Sequence, residues 1–223
     1  MPKLSKNIEA RVRAMVTPGC VVNLESNLKW WGPQHIPKSL LMTPVHRTIR
    51  NVQKYDYPDG NYRDVHSMQW LKGNGFEMTW PKGKFWDFDE IRNKKLSIYQ
   101  PVPEALGYEI DNKFILDMRQ AAYKLEGRNY DFWELIDHIL GYQEPAGFIK
   151  IFGSENRFVC SSTVGVLWEY TRKEKEKRDG VNYDRLFFYP DGRPHPVERY
   201  RPADFANTPK FKLIYHWRYG IVK

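Results

Sequence analysis

Val65-His66-Ser67-Met68-Gln69-Trp70-Leu71, then Lys72-Gly73-Asn74-Gly75, then Phe76-Glu77-Met78-Thr79-Trp80 is the stretch on which the fold turns. Two runs of aromatic and β-prone residues flank an Asn-Gly pair, the strongest short-range signal for a β-hairpin. Alternation puts His66, Met68 and Trp70 on one face of the first strand. Pairing across Gly73-Asn74-Gly75 sets even residues against odd ones, so Glu77 and Thr79 share the His66 face. Thr79 falls nearer His66 along the ladder and Glu77 nearer the turn. Either side chain could orient the imidazole.

Outward from the hairpin, Cys20 to Leu24 reads as a strand, as do Lys95 to Val102, closed by prolines, and Phe211 to Trp217. Residues 5–16 read as a short helix capped by Ser5 or Asn7 and ended by Thr17-Pro18-Gly19. Two more helices are predicted over about 110–126 and 130–142, the first with Phe114, Ile115, Met118, Ala121, Ala122 and Leu125 at helical spacing. Residues 26–63, rich in Pro, Gly, Trp and Tyr, read as a long irregular excursion, and 179–199 as loop-rich. Strands and helices are partly segregated, which predicts an α+β domain rather than a doubly wound sheet.

The second informative stretch is Arg157-Phe158-Val159-Cys160-Ser161-Ser162. Irregular sequence there turns into an amphipathic helix running to about Tyr170. A cysteine in the first turn of a helix feels unpaired backbone N–H groups and the positive end of the dipole, and both favour thiolate. A histidine is the usual partner for making such a thiol a nucleophile, and His66 stands on the hairpin strand. Judged by local pattern alone, Cys160 also fits a small core residue beside Val164, Leu167 and Trp168. His66 likewise fits a hydrogen-bonded core histidine, and Glu77 a solvent-facing hairpin residue. Cys20 reads as a buried strand cysteine. His138, on the helix expected at 130–142, is the rival base worth testing.

Composition narrows the classes. The chain has 223 residues, 41% hydrophobic and 15% aromatic, enough for one domain with a substantial core and against disorder throughout. No apolar run approaches a membrane span, and no apolar core follows the basic Met1-Pro2-Lys3-Leu4-Ser5-Lys6, so synthesis in the cytosol without a signal peptide is expected. Two cysteines cannot build a disulfide framework or a zinc-finger set, and His35, His46, His138, His195 and His216 lack metal-ligand spacing. Neither a cofactor nor a metal is therefore expected. A net charge of +8 permits attraction to polyanions, but it is scattered along the chain. The densest run, Arg172 to Arg178, mixes signs and reads as the solvated end of a helix. Leu28-Lys29-Trp30-Trp31 and Lys84-Phe85-Trp86-Asp87-Phe88 interleave bases and aromatics, but neither matches a nucleic-acid module. Packing onto a core is the commoner use of such clusters.

Four stretches together resemble the permuted NlpC-like cysteine amidohydrolases, the YiiX/YaeF-like relatives of papain-fold enzymes, in which a histidine strand precedes the cysteine helix. Pro18-Gly19-Cys20-Val21-Val22 looks like the family's opening Gly-Asp strand, with Cys20 in place of the aspartate. Val65 to Leu71 with its glycine turn looks like the histidine hairpin. Tyr130-Asp131-Phe132 and Phe158-Val159-Cys160-Ser161-Ser162 resemble the segment leading into the nucleophile helix. Tyr200-Arg201-Pro202-Ala203-Asp204-Phe205, Thr208-Pro209 and the Phe211–Tyr215 strand resemble the closing motif. The likeness spans most of residues 18–216.

The resemblance implies one papain-like domain over 1–223, circularly permuted, with a loop-rich insertion at about 26–63. It implies Cys160 as nucleophile and His66 as general base. The third polar position, a glutamate or histidine in many relatives, aligns with Thr79, with Glu77 two residues earlier. The expected activity is thiol-dependent hydrolysis of an amide bond in a peptidoglycan stem peptide, another peptide or an N-acyl group. A bacteriophage tail or baseplate subunit carrying a wall-hydrolase fold fits that expectation, with other virion proteins as partners. The alternative is a catalytically weak or inactive structural and interaction protein that keeps the hydrolase fold.

Overall fold

In a computed structural model of the chain, residues 6–25, 36–79, 82–91, 95–129, 160–189 and 192–217 are described. The helix expected at 130–142, with His138, lies outside them, as does Leu28-Lys29-Trp30-Trp31. The architecture is α+β: a six-stranded antiparallel sheet with helices on its faces.

In chain order the strands are β1 (Val21–Glu25), β2 (Asp64–Trp70), β3 (Gly75–Met78), β4 (Gly83–Trp86), β5 (Leu96–Pro101) and β6 (Phe211–Trp217). Their spatial order is β4-β3-β2-β1-β5-β6. Strand β1 is buried along its whole length. Val22 pairs with Met68 of β2 on one side and Ile98 of β5 on the other. Because side chains alternate, the two faces of these strands feed two separate cores. Cys20, Val22, Leu24, Met68, Trp70, Ile98 and Tyr215 pack with Val12 and Val16 at the end of α1 (Lys6–Met15). On the opposite face Val21, Leu71, Phe76 and Tyr99 meet Phe114 and Met118 of α5 (Asn112–Leu125) and the long helix α6 (Cys160–Asp179). From α6, Val164, Leu167 and Trp168 are almost wholly buried. At about 1.5–3 kcal/mol for each large apolar side chain removed from water, this contact fixes the helix to the sheet.

The hairpin forms where its alternation predicts it, with Gln69 opposite Phe76 and Trp70 opposite Gly75. Its turn is closed by Leu71 N–H donating to Asn74 O at 2.8 Å, and Gly73 takes the positive φ of 86°. Gly75 serves differently. It lies under the Trp86 indole, where a Cβ would meet a ring carbon at 2.0 Å.

Several expectations need correction. Within the predicted excursion at 26–63, Ile36–Asp56 is a 21-residue helix, α2. Pro37 falls in its first turn, where a missing N–H costs nothing, so the proline-rich look of the region concealed it. The Cys160 helix continues nine residues beyond Tyr170, to Asp179. Its charged run is not a wholly solvated end, since Arg172 and Lys175 are buried. Arg172 donates to Glu169 at 2.8 Å and also pairs with Glu176. Lys175 reaches Asp179 at 2.8 Å and the α5 cap residue Asp111 at 3.4 Å. Propensity alone could not show that these pairs carry the helix onward. Strand β4 and the short helices α3 (Phe88–Ile91), α4 (Pro103–Leu106) and α7 (Pro202–Ala206) were not anticipated. The Lys84-to-Phe88 aromatics turn inward: Trp86 and Phe88 are buried, and Phe85 packs edge-on against Phe76. No helix of the described residues is long and apolar enough to cross a membrane.

Candidate functional site

The site begins where β3 leaves β2. Along β2, Trp70 N–H points to β1, donating to Cys20 O at 2.8 Å, whereas Leu71 N–H points to the β3 side. By alternation the Ser67 N–H also faces β3. The β2–β3 pairing, however, stops at Gln69 and Phe76. The N-terminus of α6 fills the gap, and the Ser67 N–H donates to the Cys160 sulfur instead. The thiol thus takes a strand's place in the ladder.

Helix α6 is held there by contacts that flank the cysteine. Ser161 Oγ donates to Tyr200 O at 2.5 Å. Gly165 lets the Tyr200 ring close on the helix, since a Cβ would lie 2.3 Å from a ring carbon. Two turns beyond the cysteine, Trp168 Nε1 donates to Gln69 Oε1 at 2.8 Å, and Gln69 Nε2 donates in turn to Trp70 O and Cys20 O. Ser67 is fixed from the other side. Its hydroxyl donates to Asn23 Oδ1 at 2.7 Å, and Asn23 Nδ2 donates to Pro202 O at 2.8 Å. All of these polar groups are buried, so each contact is costly to break.

His66, on β2, meets Cys160 and Glu77. Its Nε2 lies 2.8 Å from Glu77 Oε2, leaving Nδ1 for the hydrogen bond with the sulfur. The His66 side chain is 19% exposed and that of Glu77 8%. Burial works against protonation of the imidazole. The charge and hydrogen bond of the Cys160 sulfur, and then those of Glu77, outweigh it and push the His66 pKa up to about 10. Burial likewise works against the Cys160 thiolate. The His66 charge and hydrogen bond, with the N–H groups of Ser67 and Ser161, outweigh it and hold the thiol below its usual range. Each group favours the ionised form of the other, so sulfur and imidazole are poised as thiolate and imidazolium.

Of the residues singled out in the sequence, the structure brings together Cys160, His66 and Glu77. Thr79 follows the last residue of β3, and the carboxylate in contact with the ring belongs to Glu77. Continued three steps, the hairpin register would set Thr79 opposite His66. The early parting of β3 from β2 removes that pairing and lets Glu77 reach diagonally. Cys20 takes no part. It is fully buried beside Thr17, both cysteines are free, and burial pushes the Cys20 thiol up. Among the described residues no group of His, Cys, Asp and Glu could hold a metal ion. A surface groove lined by Thr17, Pro18, Gln100, Pro101, Glu109 and Ile115 contains none of the three site residues.

Sequence reasoning missed the Ser67 amide, the Gln69–Trp168 bond and Lys84, whose ammonium stands 3.6 Å from Glu77 Oε1. Gln69 left a signal, as an amide side chain on the strand face it shares with the apolar Val65 and Leu71, both buried.

A scan against protein-family models finds no match for this chain, and a search of curated proteins also finds none.

Proposed function

We propose that the protein is a thiol-dependent hydrolase of amide bonds built on a permuted, papain-like α+β domain. The observation that carries this reading is the continuous contact from Cys160 sulfur to His66 imidazole to Glu77 carboxylate, at the tip of a helix. In the reaction, the Cys160 thiolate attacks the carbonyl carbon and forms a tetrahedral oxyanion. The Cys160 N–H, at the helix start, is a suitable donor to that oxygen, and one such donor supports about 3 kcal/mol of transition-state stabilisation. The imidazolium gives its proton to the leaving amine, the C–N bond breaks, and a thioester remains. His66, now neutral, takes a proton from water. The resulting attack releases the acid and restores the ion pair. Glu77 holds the ring and stabilises its charged form, the part a buried carboxylate plays in a triad.

Candidate substrates are a peptidoglycan stem peptide, another peptide and an N-acyl group, and a place in a phage tail or baseplate would suit the first. The test is turnover of cell-wall muropeptides and N-acyl amino acids by wild type and Cys160→Ala. Loss of all hydrolysis with an unchanged circular dichroism spectrum is expected. Undiminished turnover by the variant would overturn the assignment.

A further inference from the structure

Lys84 of β4 stands directly opposite Glu77 in the β3–β4 ladder. Its ammonium is 3.6 Å from Glu77 Oε1 and 2.7 Å from Glu90 Oε2 of α3. The other Glu90 oxygen accepts the Asp87 N–H at 3.2 Å. The Glu77 carboxylate is therefore engaged at both oxygens, by His66 at Oε2 and Lys84 at Oε1. Sulfur, imidazole, carboxylate, ammonium and carboxylate follow one another from α6 through β2, β3 and β4 to α3, with the sign of charge alternating at each step.

We propose that Lys84 is a positioning residue that holds the Glu77 carboxylate with one oxygen turned to His66, and thereby keeps the imidazolium on the Cys160 sulfur. The proposal rests on the thiolate–imidazolium reading of the site given above. The terminal torsion of a glutamate is broad and roughly two-fold. A carboxylate can therefore turn away from the imidazole unless its second oxygen is also held. A cation on the second oxygen removes that freedom, and Glu90, tied to the Asp87 amide, keeps the ammonium in place. Lys84 is 46% exposed, and a pair that open to water adds little to stability, so its effect is one of orientation. Among the described residues, the charged groups in contact along this row are Cys160, His66, Glu77, Lys84 and Glu90.

A positioning role and a plain charge effect have opposite signs. As a nearby positive charge alone, Lys84 disfavours the imidazolium, and its removal would raise the pH at which His66 deprotonates. As the holder of Glu77, its removal loosens the carboxylate from the ring and lowers that pH. The test follows the His66 Cε1–H resonance against pH in wild type, Lys84→Met and Lys84→Arg. Iodoacetamide labelling of Cys160 and thermal unfolding accompany it. The expected result is a midpoint lowered by roughly one pH unit in Lys84→Met, restored in Lys84→Arg, with the melting temperature little changed. A midpoint that is unchanged or raised in folded Lys84→Met overturns the positioning role while leaving the ion pair standing. Wild-type protein whose His66 loses its proton below pH 7 overturns both. Should Lys84→Met lose the fold, Lys84→Gln, which removes the charge and keeps a polar end, is read by the same criteria.

Discussion

Replacing His66 by Asn removes the cation from Cys160 and leaves the thiol with burial against it and the Ser67 and Ser161 N–H groups for it. A hydrogen bond to a charged group is worth about 1.5–3 kcal/mol, or roughly a ten- to hundredfold change in thiol acidity. Alkylation by iodoacetamide reads this directly, because only thiolate reacts. At a pH below both pKa values, each tenfold loss of acidity cuts the thiolate fraction tenfold. It also raises the nucleophilicity of each thiolate by about threefold, for a Brønsted slope near 0.4–0.5. The net loss is thus about 3.5-fold per tenfold in acidity, or about 3.5- to 12-fold for the variant at such a pH. Above both pKa values the sign inverts and the variant alkylates faster, so the two rate–pH curves cross. The assay is the pseudo-first-order labelling rate of Cys160 from pH 5 to 10, in a Cys20→Ala background checked by mass spectrometry. Superimposable curves, or a wild-type curve that rises only where an ordinary thiol titrates, would refute the pairing of sulfur and imidazole.

Three further outcomes follow from the packing and the charges. Gly165→Ala drives a methyl group into the Tyr200 ring, and urea unfolding should show a loss of about 1–3 kcal/mol together with slower Cys160 labelling, because the helix tip moves with its anchor. Arg172→Met leaves Glu169, whose side chain is 10% exposed, without its cation, and a loss of about 3–5 kcal/mol in the same assay is expected. Finally, the raised His66 pKa contributes stability that is present below the unfolded histidine value of about 6.5 and lost as pH rises through about 10. The lowered Cys160 pKa contributes stability present above the unfolded thiol value and lost as pH falls. Wherever the thiolate–imidazolium pair stands, the folded state carries one proton on it, whereas the unfolded chain carries two in acid, one near neutrality and none in alkali. Measured against a Cys160→Ser, His66→Asn double variant, the wild-type advantage should rise with pH up to about 6.5, level off, and fall above about 9 by roughly 1.4 kcal/mol per unit.

The hairpin and the cysteine helix were legible because their signals are local: strict alternation on both sides of a glycine-containing turn, and an apolar stripe starting at Cys160. The choice between Glu77 and Thr79 was not. Both lie on one face, and the outcome depends on where β3 parts from β2, which the arrival of α6 decides. Helix α2 was hidden because a count of Pro, Gly, Trp and Tyr outweighed periodicity in a segment with Pro37 and Pro44. The anchoring of the last turns of α6 is not legible because a mixed charged run reads as a solvated helix end, whereas Arg172 and Lys175 find carboxylates on their own helix and at the start of α5. Lys84 belongs to an aromatic run whose register against Glu77 exists only once β4 is paired.

Gly75 has a bearing on the site that its position near a turn does not suggest. The Trp86 indole seated on it acts as a peg that indexes β3 against β4, because no other residue on β3 leaves room for that ring at that spot. A slip of β3 by one residue would point Glu77 to the opposite face and bring Phe76 or Met78 toward the imidazole. The alignment of the carboxylate with His66 is thus indexed by a tryptophan seated opposite Gly75 rather than opposite either of them, so wear at this peg would reach the chemistry as well as the fold.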